Sequence, residues 1–241
     1  MNNKNNTLQL CYQWTQPKLV KMAVLISVIF SSSQRNFILP WLQSVKKDYL
    51  LDKPSPWITF GAIEFLSNKL RSRNGLHIFE YGSGGSTLFW LTFDATCVSV
   101  EHDAAWYKLI REKTNANLAL DYRLVLPQPG TVYGNNADPH LYLSGNTNFQ
   151  GFSFYNYVSQ IDSFPDNYFD VILIDGRARP SCLVHSIPKL KPLGTLVLDN
   201  ADRSRYLEQT QVYLKGFKKY EFFGLVPKLK YVSRTDIYIK F

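Results

Sequence analysis

The strongest constraint on the fold is Ile78-Phe79-Glu80-Tyr81-Gly82-Ser83-Gly84-Gly85-Ser86-Thr87, an apolar run that ends in an acid and passes straight into a glycine-rich turn. Twenty-one positions after Glu80, a second run, Cys97-Val98-Ser99-Val100, ends in another acid, Glu101. Glycines at 82, 84 and 85 let the backbone turn sharply and approach a ligand closely, and a helix that begins behind them adds its free N-terminal amides. A strand, a glycine turn, a helix and a second strand ending in an acid is how an α/β sheet holds a nucleoside-containing cofactor, the second acid accepting the ribose hydroxyls.

The chain on either side repeats the alternation. Ser55-Pro56 reads as an N-cap and first helical residue, with Ile58, Ala62, Phe65 and Leu66 on one face, which predicts a helix over 56–71. Strands are expected at 76–81, 96–101, 122–126, 169–174, 194–199, 220–224 and 236–240. Helices are expected at 85–93, 104–116, 154–163, 180–190 and 202–214. Asp103 caps the helix over 104–116, whose buried face carries Trp106, Leu109 and Ile110. Phe169–Ile174 is continuously apolar, as in a strand covered on both faces. The pattern predicts an α/β, doubly wound, mainly parallel sheet of seven strands, the last pair antiparallel. Such sheets bind ligands beyond the carboxyl ends of their strands, and four ends here are acidic: Glu80, Glu101, Asp175 and Asp199-Asn200. Between about 127 and 151 no period is visible. That stretch, with Tyr133, Asn135, Asn136, His140 and Tyr142, and Tyr155 just beyond it, reads as a binding loop or lid.

A chain of 241 residues, 45% hydrophobic, can bury one substantial core, so residues 55–241 form one domain behind an extension, 1–54. Three cysteines, Cys11, Cys97 and Cys182, without a CxxC pair fit a reducing, cytoplasmic setting better than a disulfide or zinc framework. The net charge of +8 is scattered (Lys46-Lys47, Arg71, Arg73, Lys218-Lys219), which argues against nucleic acid and suits a solvated surface or an acidic substrate. Met22–Phe30 is an apolar run of 9 residues, too short to span a bilayer, which takes about 20. It has no clear cleavage site, and Met22 offers an alternative start. An amphipathic or poorly ordered extension is expected, docked on the body or touching a membrane through residues 19–42.

A dinucleotide site would want glycine at position 87, where this chain has Thr87, and Glu80 would repel a pyrophosphate. A sulfonium ligand with an ammonium-bearing tail removes that objection. Glu80-Tyr81-Gly82-Ser83-Gly84-Gly85-Ser86 resembles the first motif of the class I S-adenosylmethionine-dependent methyltransferases, acid-x-Gly-x-Gly-x-Gly, with Ser86 in place of the last glycine. The resemblance covers about residues 55–241 and includes the terminal strand pair. It implies S-adenosyl-L-methionine as cofactor, held by Glu80, Gly82, Gly84, Gly85, Ser86, Glu101 and Asp175.

Asp175, Asp199 and Asn200 form an all-oxygen set suited to Mg²⁺. The set resembles the metal site of the catechol-type O-methyltransferases, in which the ion lowers the pKa of the acceptor hydroxyl. Those enzymes would lead one to look for a lysine after the first acid, and Arg177 and Arg179 stand there instead. Asp175 and Arg177 are the candidate catalytic residues, and His185 is a further candidate base. Amino-group methylation of DNA would call for an Asn/Asp-Pro-Pro-aromatic motif where Ile174-Asp175-Gly176-Arg177 stands, and Cys182 is not adjacent to Pro180 as a cytosine-C5 mechanism requires. The expectation is therefore O-methylation of a small molecule or glycan, with or without Mg²⁺. Two other classes are a non-catalytic interaction protein tethered through its N-terminal segment and a nicotinamide-dependent oxidoreductase, the latter disfavoured by Thr87 and Glu80.

Overall fold

The computed structural model describes residues 18–45, 53–114, 117–130 and 133–241; the Asn-rich leader, Cys11 and Lys46-Lys47 lie outside them. Among the described residues two helices come first, α1 (Lys18–Ile29) and α2 (Ile38–Ser44), joined through a 3-10 segment, Ser32–Phe37. The alternation follows as α3 (Phe60–Leu70), β1 (Leu76–Tyr81), α4 (Gly85–Trp90), β2 (Ala95–Glu101), α5 (Ala104–Thr114) and β3 (Leu120–Leu124). Two-residue strands β4 (Gln128–Pro129) and β5 (Phe152–Ser153) and the short helix α6 (Tyr155–Val158) lead to β6 (Phe169–Ile174). Then come α7 (Arg179–Lys189), β7 (Leu190–Leu198), β8 (Phe217–Gly224) and β9 (Ser233–Lys240).

Seven strands form one sheet in the order β3-β2-β1-β6-β7-β9-β8. Every pairing is parallel except the two that β9 makes, with β7 and with β8. Alternate residues of the strands supply two cores, as the two-residue pleat dictates. Phe79, Tyr81, Ile172, Ile174, Leu196 and Leu198 face one side, and Ile78, Leu76, Val171, Leu173 and Val197 the other. All six residues of β6 are buried, so the strand read as covered on both faces is so. Strand order reverses between β1 and β6, which opens a crevice at their carboxyl ends.

Three local expectations are corrected. The first helix begins at Phe60 rather than 56, because the backbone before it is engaged elsewhere: Thr59 N donates to Thr235 Oγ1 at 3.1 Å and Phe60 N to Leu225 O at 3.0 Å. Residues 202–214 form two 3-10 turns, Ser204–Tyr206 and Gln211–Leu214, instead of a helix. Their start is tied to β9, since Ala201 N donates to Arg234 O and Asp202 Oδ1 accepts from Ser233 Oγ and Arg234 N. On α5, Asp103 Oδ1 does cap Trp106 N at 2.9 Å, but the buried face carries Ile110 and Thr114, and Leu109 is exposed.

Residues 18–45 share a core with the body. Val24, Leu25 and Val28 of α1 pack with Phe60, Leu225 and Val232. Trp41 Nε1 donates to Leu229 O at 2.8 Å, and Ser44 Oγ accepts from Lys228 N at 2.7 Å. Among the described residues no single helix is long and apolar enough to cross a membrane. The long loop is pinched at its neck by the β4–β5 pair and by Gly130 N donating to Gly151 O at 2.8 Å.

Candidate functional site

The crevice owes its shape to two glycines. Gly82 leaves β1 at φ +93, and a Cβ there would lie 2.9 Å from the backbone N and Cα of Gly176, which follows β6. A Cβ on Gly176 would in turn meet Tyr157 Oη at 2.0 Å. The two strand exits thus touch backbone to backbone, with Asp175 N donating to Tyr81 O at 3.0 Å. Above them lies a cleft of about 450 Å³, walled by the 82–86 turn, Glu101, Trp106, Phe149, Asp175 and Arg177. Trp106 Nε1 donates to Ser83 O at 2.8 Å and pins the turn.

Glu80 lies beneath the turn with no exposed surface. Its carboxylate accepts from Thr87 Oγ1, from Trp90 Nε1 at 3.0 Å and from Ser99 Oγ at 2.7 Å. Burial pushes its pKa up to about 7, against the pull of hydrogen bonds from Thr87, Ser99, Ser86 and Trp90. Ser86 and Thr87, the positions where glycine is missing, therefore serve a buried carboxylate. Glu80 holds the glycine turn onto α4 and does not line the cleft.

Glu101 does line it. Oε1 accepts from His102 N at 2.7 Å and Asp103 N at 2.8 Å, and Oε2 from Ser83 N at 3.1 Å and Ser83 Oγ at 2.9 Å. Burial alone would raise this carboxyl, but His102 and the two amides outweigh it and hold the pKa below the ordinary value. His102 Nδ1 lies 2.8 Å from Oε1, while Nε2 accepts from Arg177 Nε at 3.1 Å. The guanidinium of Arg177 sits 5.4 Å from the Phe149 ring centre. Glu101, His102 and Arg177 are thereby linked across the mouth of the crevice, from β2 to the exit of β6.

Asp175, Asp199 and Asn200 are also adjacent, yet one guanidinium is already paired with both acids. Arg179 donates through Nη2 to Asp175 Oδ1 at 2.8 Å and to Asp175 O at 2.9 Å, through Nε to Gly176 O at 3.1 Å, and through Nη1 to Asp199 O. Asp199 Oδ2 stands 3.7 Å from Nη1, and Asp199 Oδ1 accepts from Thr235 Oγ1 at 2.9 Å. The side-chain amide of Asn200 is turned to Ser233 Oγ at 3.2 Å, on a residue at φ +50. Burial raises both acids, Asp199 the more, because it is the deeper and feels the Asp175 charge; Arg179 pulls both back. Burial works against the Arg179 charge, but Tyr206, Asp175 and Asp199 outweigh it. The donor set does not fit Mg²⁺, since its carboxylates already neutralise a fixed cation.

His185 is held by Asp162 at 2.9 Å and is not among the residues of the crevice. Sequence reasoning missed His102, Trp106 and Phe149 as wall residues and left open which of Arg177 and Arg179 would balance Asp175 and Asp199, a part that falls to Arg179. The only available signal was the Arg177/Arg179 pair where a lysine was sought.

The sequence matches no protein-family model and no curated protein. Solved structures do match in shape. The O-methyltransferase from Bacillus cereus, in complex with S-adenosylhomocysteine, is 14% identical with a TM-score of 0.55, over 92% of this chain and 97% of that one. The O-methyltransferase TomG from Streptomyces achromogenes, involved in tomaymycin synthesis and bound to S-adenosylmethionine, is 11% identical with a TM-score of 0.56, over 87% and 99%. The strand order, the single antiparallel strand and these likenesses together establish that the chain has the Rossmann-like methyltransferase fold.

Proposed function

We propose that this protein is an S-adenosylmethionine-dependent O-methyltransferase that works without a divalent metal. The observation that carries the reading is the cleft at the point where strand order reverses, with the glycine turn on one side and the Glu101 carboxylate on the other. Solved proteins of the same fold hold the same cofactor or its demethylated product. A nicotinamide reading has no comparable support, since Glu80 and Thr87 bond to each other where a dinucleotide motif would leave open backbone.

When bound, the cofactor supplies a methyl group on a sulfonium sulfur. An acceptor hydroxyl would take that methyl and pass its proton to a group of the protein. The chain's own groups bind and orient. Glu101 takes the ribose hydroxyls: Ser83 Oγ, which now donates to it, has a second partner in Tyr122 Oη at 2.6 Å and can release a lone pair. Trp57, Trp106 and Phe149 offer flat walls to a purine. Asp175 lines the cleft, and its carboxyl is raised by burial though restrained by Arg179, which makes it a better proton acceptor than an ordinary carboxylate. Arg177 orients the acceptor. Arg179 supplies the fixed positive charge that a metal would otherwise bring to Asp175 and Asp199.

Calorimetry on the full chain tests this. S-adenosylhomocysteine is expected to bind with the same affinity in Mg²⁺ and in chelator, NAD(H) not at all, and Glu101→Ala to weaken binding at least about tenfold, since buried hydrogen bonds to a charged group are worth roughly 1.5–3 kcal/mol. Absence of S-adenosylhomocysteine binding overturns the function, and binding that requires Mg²⁺ overturns the metal-free reading. A further part of the proposal is contact with a membrane surface through residues 19–42, favoured by the exposed side chains Leu19, Met22, Ile26 and Phe30 along one face of α1 and its end.

A further inference from the structure

Beside the cofactor cleft lies a second cavity of about 270 Å³ that shares Asn146, Gly176 and Arg177 with it. The long loop, the exit of β6 and the first 3-10 turn after β7 build it, and Arg177, Arg179, Arg203 and Arg205 all line it. Three of these guanidiniums surround one ring: Arg205 Cζ lies 4.8 Å from the centre of Tyr206, Arg179 Cζ 5.3 Å and Arg203 Cζ 5.9 Å. Tyr206 Oη accepts from Arg203 Nη1 at 3.1 Å and from Arg205 Nη2 at 3.3 Å. Gathering like charges in a partly dry pocket is unfavourable unless anions answer them.

Asp175 and Asp199 are committed to Arg179. The neighbouring Asp202 directs Oδ1 to Ser233 and to the Arg234 amide on β9. Arg205 keeps a buried Nε without a hydrogen-bond partner, pressed against Gly145, where a Cβ would come within 3.0 Å of that atom. The remaining wall is polar: Asn136, Ser144 and Asn146 from the loop. Guanidinium forks are suited to carboxylate and phosphate oxygens, and amides and hydroxyls to sugar-like hydroxyls.

We propose that the arginine-lined cavity is the acceptor subsite, and that the methyl acceptor is a hydrophilic oxyanion: a hydroxylated molecule whose carboxylate or phosphate group docks against Arg177 and Arg205. This deepens the methyltransferase reading and rests on it. The negative group anchors the acceptor on the arginine wall, and a hydroxyl or the acid oxygen itself is left facing the cleft past Asn146 and Gly176. A flat apolar phenol finds little to hold it there.

The experiment uses the full chain with S-adenosylhomocysteine bound, titrated with glucuronate, glucose, inorganic phosphate and glucose 6-phosphate. Glucuronate or glucose 6-phosphate is expected to bind at least tenfold more tightly than glucose, and the two arms separate a carboxylate from a phosphate source. Arg205→Gln should abolish that preference while leaving the affinity for S-adenosylhomocysteine within about twofold. Equal or absent binding of all four probes overturns the inference, as does an unchanged preference in Arg205→Gln. If Arg205→Gln does not fold, the comparison of glucuronate with glucose on the unaltered protein still decides the matter, together with Arg205→Lys, which keeps the charge, loses the fork and should weaken the preference. Failure of S-adenosylhomocysteine itself to bind rejects the methyltransferase reading, whereas its binding beside silent anions rejects the acceptor class alone.

Discussion

At the scale of the residue, Glu80 and Glu101 are the same amino acid at the ends of adjacent strands with opposite environments. Glu101 accepts from backbone amides and the Ser83 hydroxyl at the cleft and is held below its ordinary pKa; Glu80 is sealed beneath the turn and pushed up to about 7. A carboxyl raised in the folded state favours folding most where it is protonated in both states, and that advantage is lost as pH rises from its ordinary value of 4.5 to about 7. Glu80→Gln removes the titration and keeps an acceptor for Trp90 Nε1. Urea midpoints should therefore show the wild type falling relative to Glu80→Gln between about pH 5 and 7, by on the order of 2–3 kcal/mol. A difference that does not change with pH would refute it. The sequence displayed both acids at strand ends but not this division of labour, because it depends on which hydroxyls and indoles the helix behind the turn brings inward. Likewise Asp175, Asp199 and Asn200 are legible as neighbours from topology alone. The pairing of one guanidinium with both acids rests on a contact between Arg179 and Asp199, 20 residues apart across two strand ends, and no local pattern encodes it.

At the scale of the element, the glycine turn and the strands of the central sheet were readable because their signals are local: a period of two, a turn that only glycine allows, an acid at the exit. The stretch 202–214 was misread because its spacing of Tyr206, Tyr213 and Leu214 fits a helix, while the tether of Ala201 and Asp202 to β9 fixes its start and Tyr213 is left exposed. The helix α1 was only half readable, its nine-residue apolar run having no polar face to choose an inside. In the structure it has two uses for apolar surface. Val24, Leu25 and Val28 pack on Phe60, Leu225 and Val232, and Leu19, Met22 and Ile26 remain 84%, 53% and 49% exposed beside the exposed Lys18. A helix with an apolar outer face and a basic end is suited to the interface of an anionic bilayer. Phosphatidylcholine–phosphatidylserine vesicles should sediment the protein at low salt, and the triple replacement Leu19→Ser, Met22→Ser, Ile26→Ser should release it without lowering thermal stability by more than about 2 °C, because none of the three is in the core. Sedimentation unchanged by the replacement would reject membrane contact through this face.

At the scale of the whole molecule, the reversal of strand order between β1 and β6 draws into one crevice residues that the chain keeps far apart: the 82–86 turn, Glu101 after β2, the long loop with Asn146 and Phe149, and the 175–177 exit. Each belongs to a different βα unit, so a ligand spanning them ties together strand exits on both sides of the reversal. Binding that is confined to the folded state adds RT ln(1 + [L]/Kd), about 2.7 kcal/mol at a hundredfold excess over Kd, which for a domain of this size raises Tm by roughly 5–10 °C. S-adenosylhomocysteine should produce such a rise in the wild type, and at the same concentration Glu101→Ala should retain less than half of it. Hydrogen exchange should slow together in the 82–86 turn, at 101–103 and at 175–177, because the ligand bridges all three. The exposed face of α1 at Leu19 and Met22, on the far side of its own core cluster, should exchange as before. Protection limited to one of the three segments would mean that the crevice does not act as one binding site, and the cofactor pose through Glu101 would fall with it.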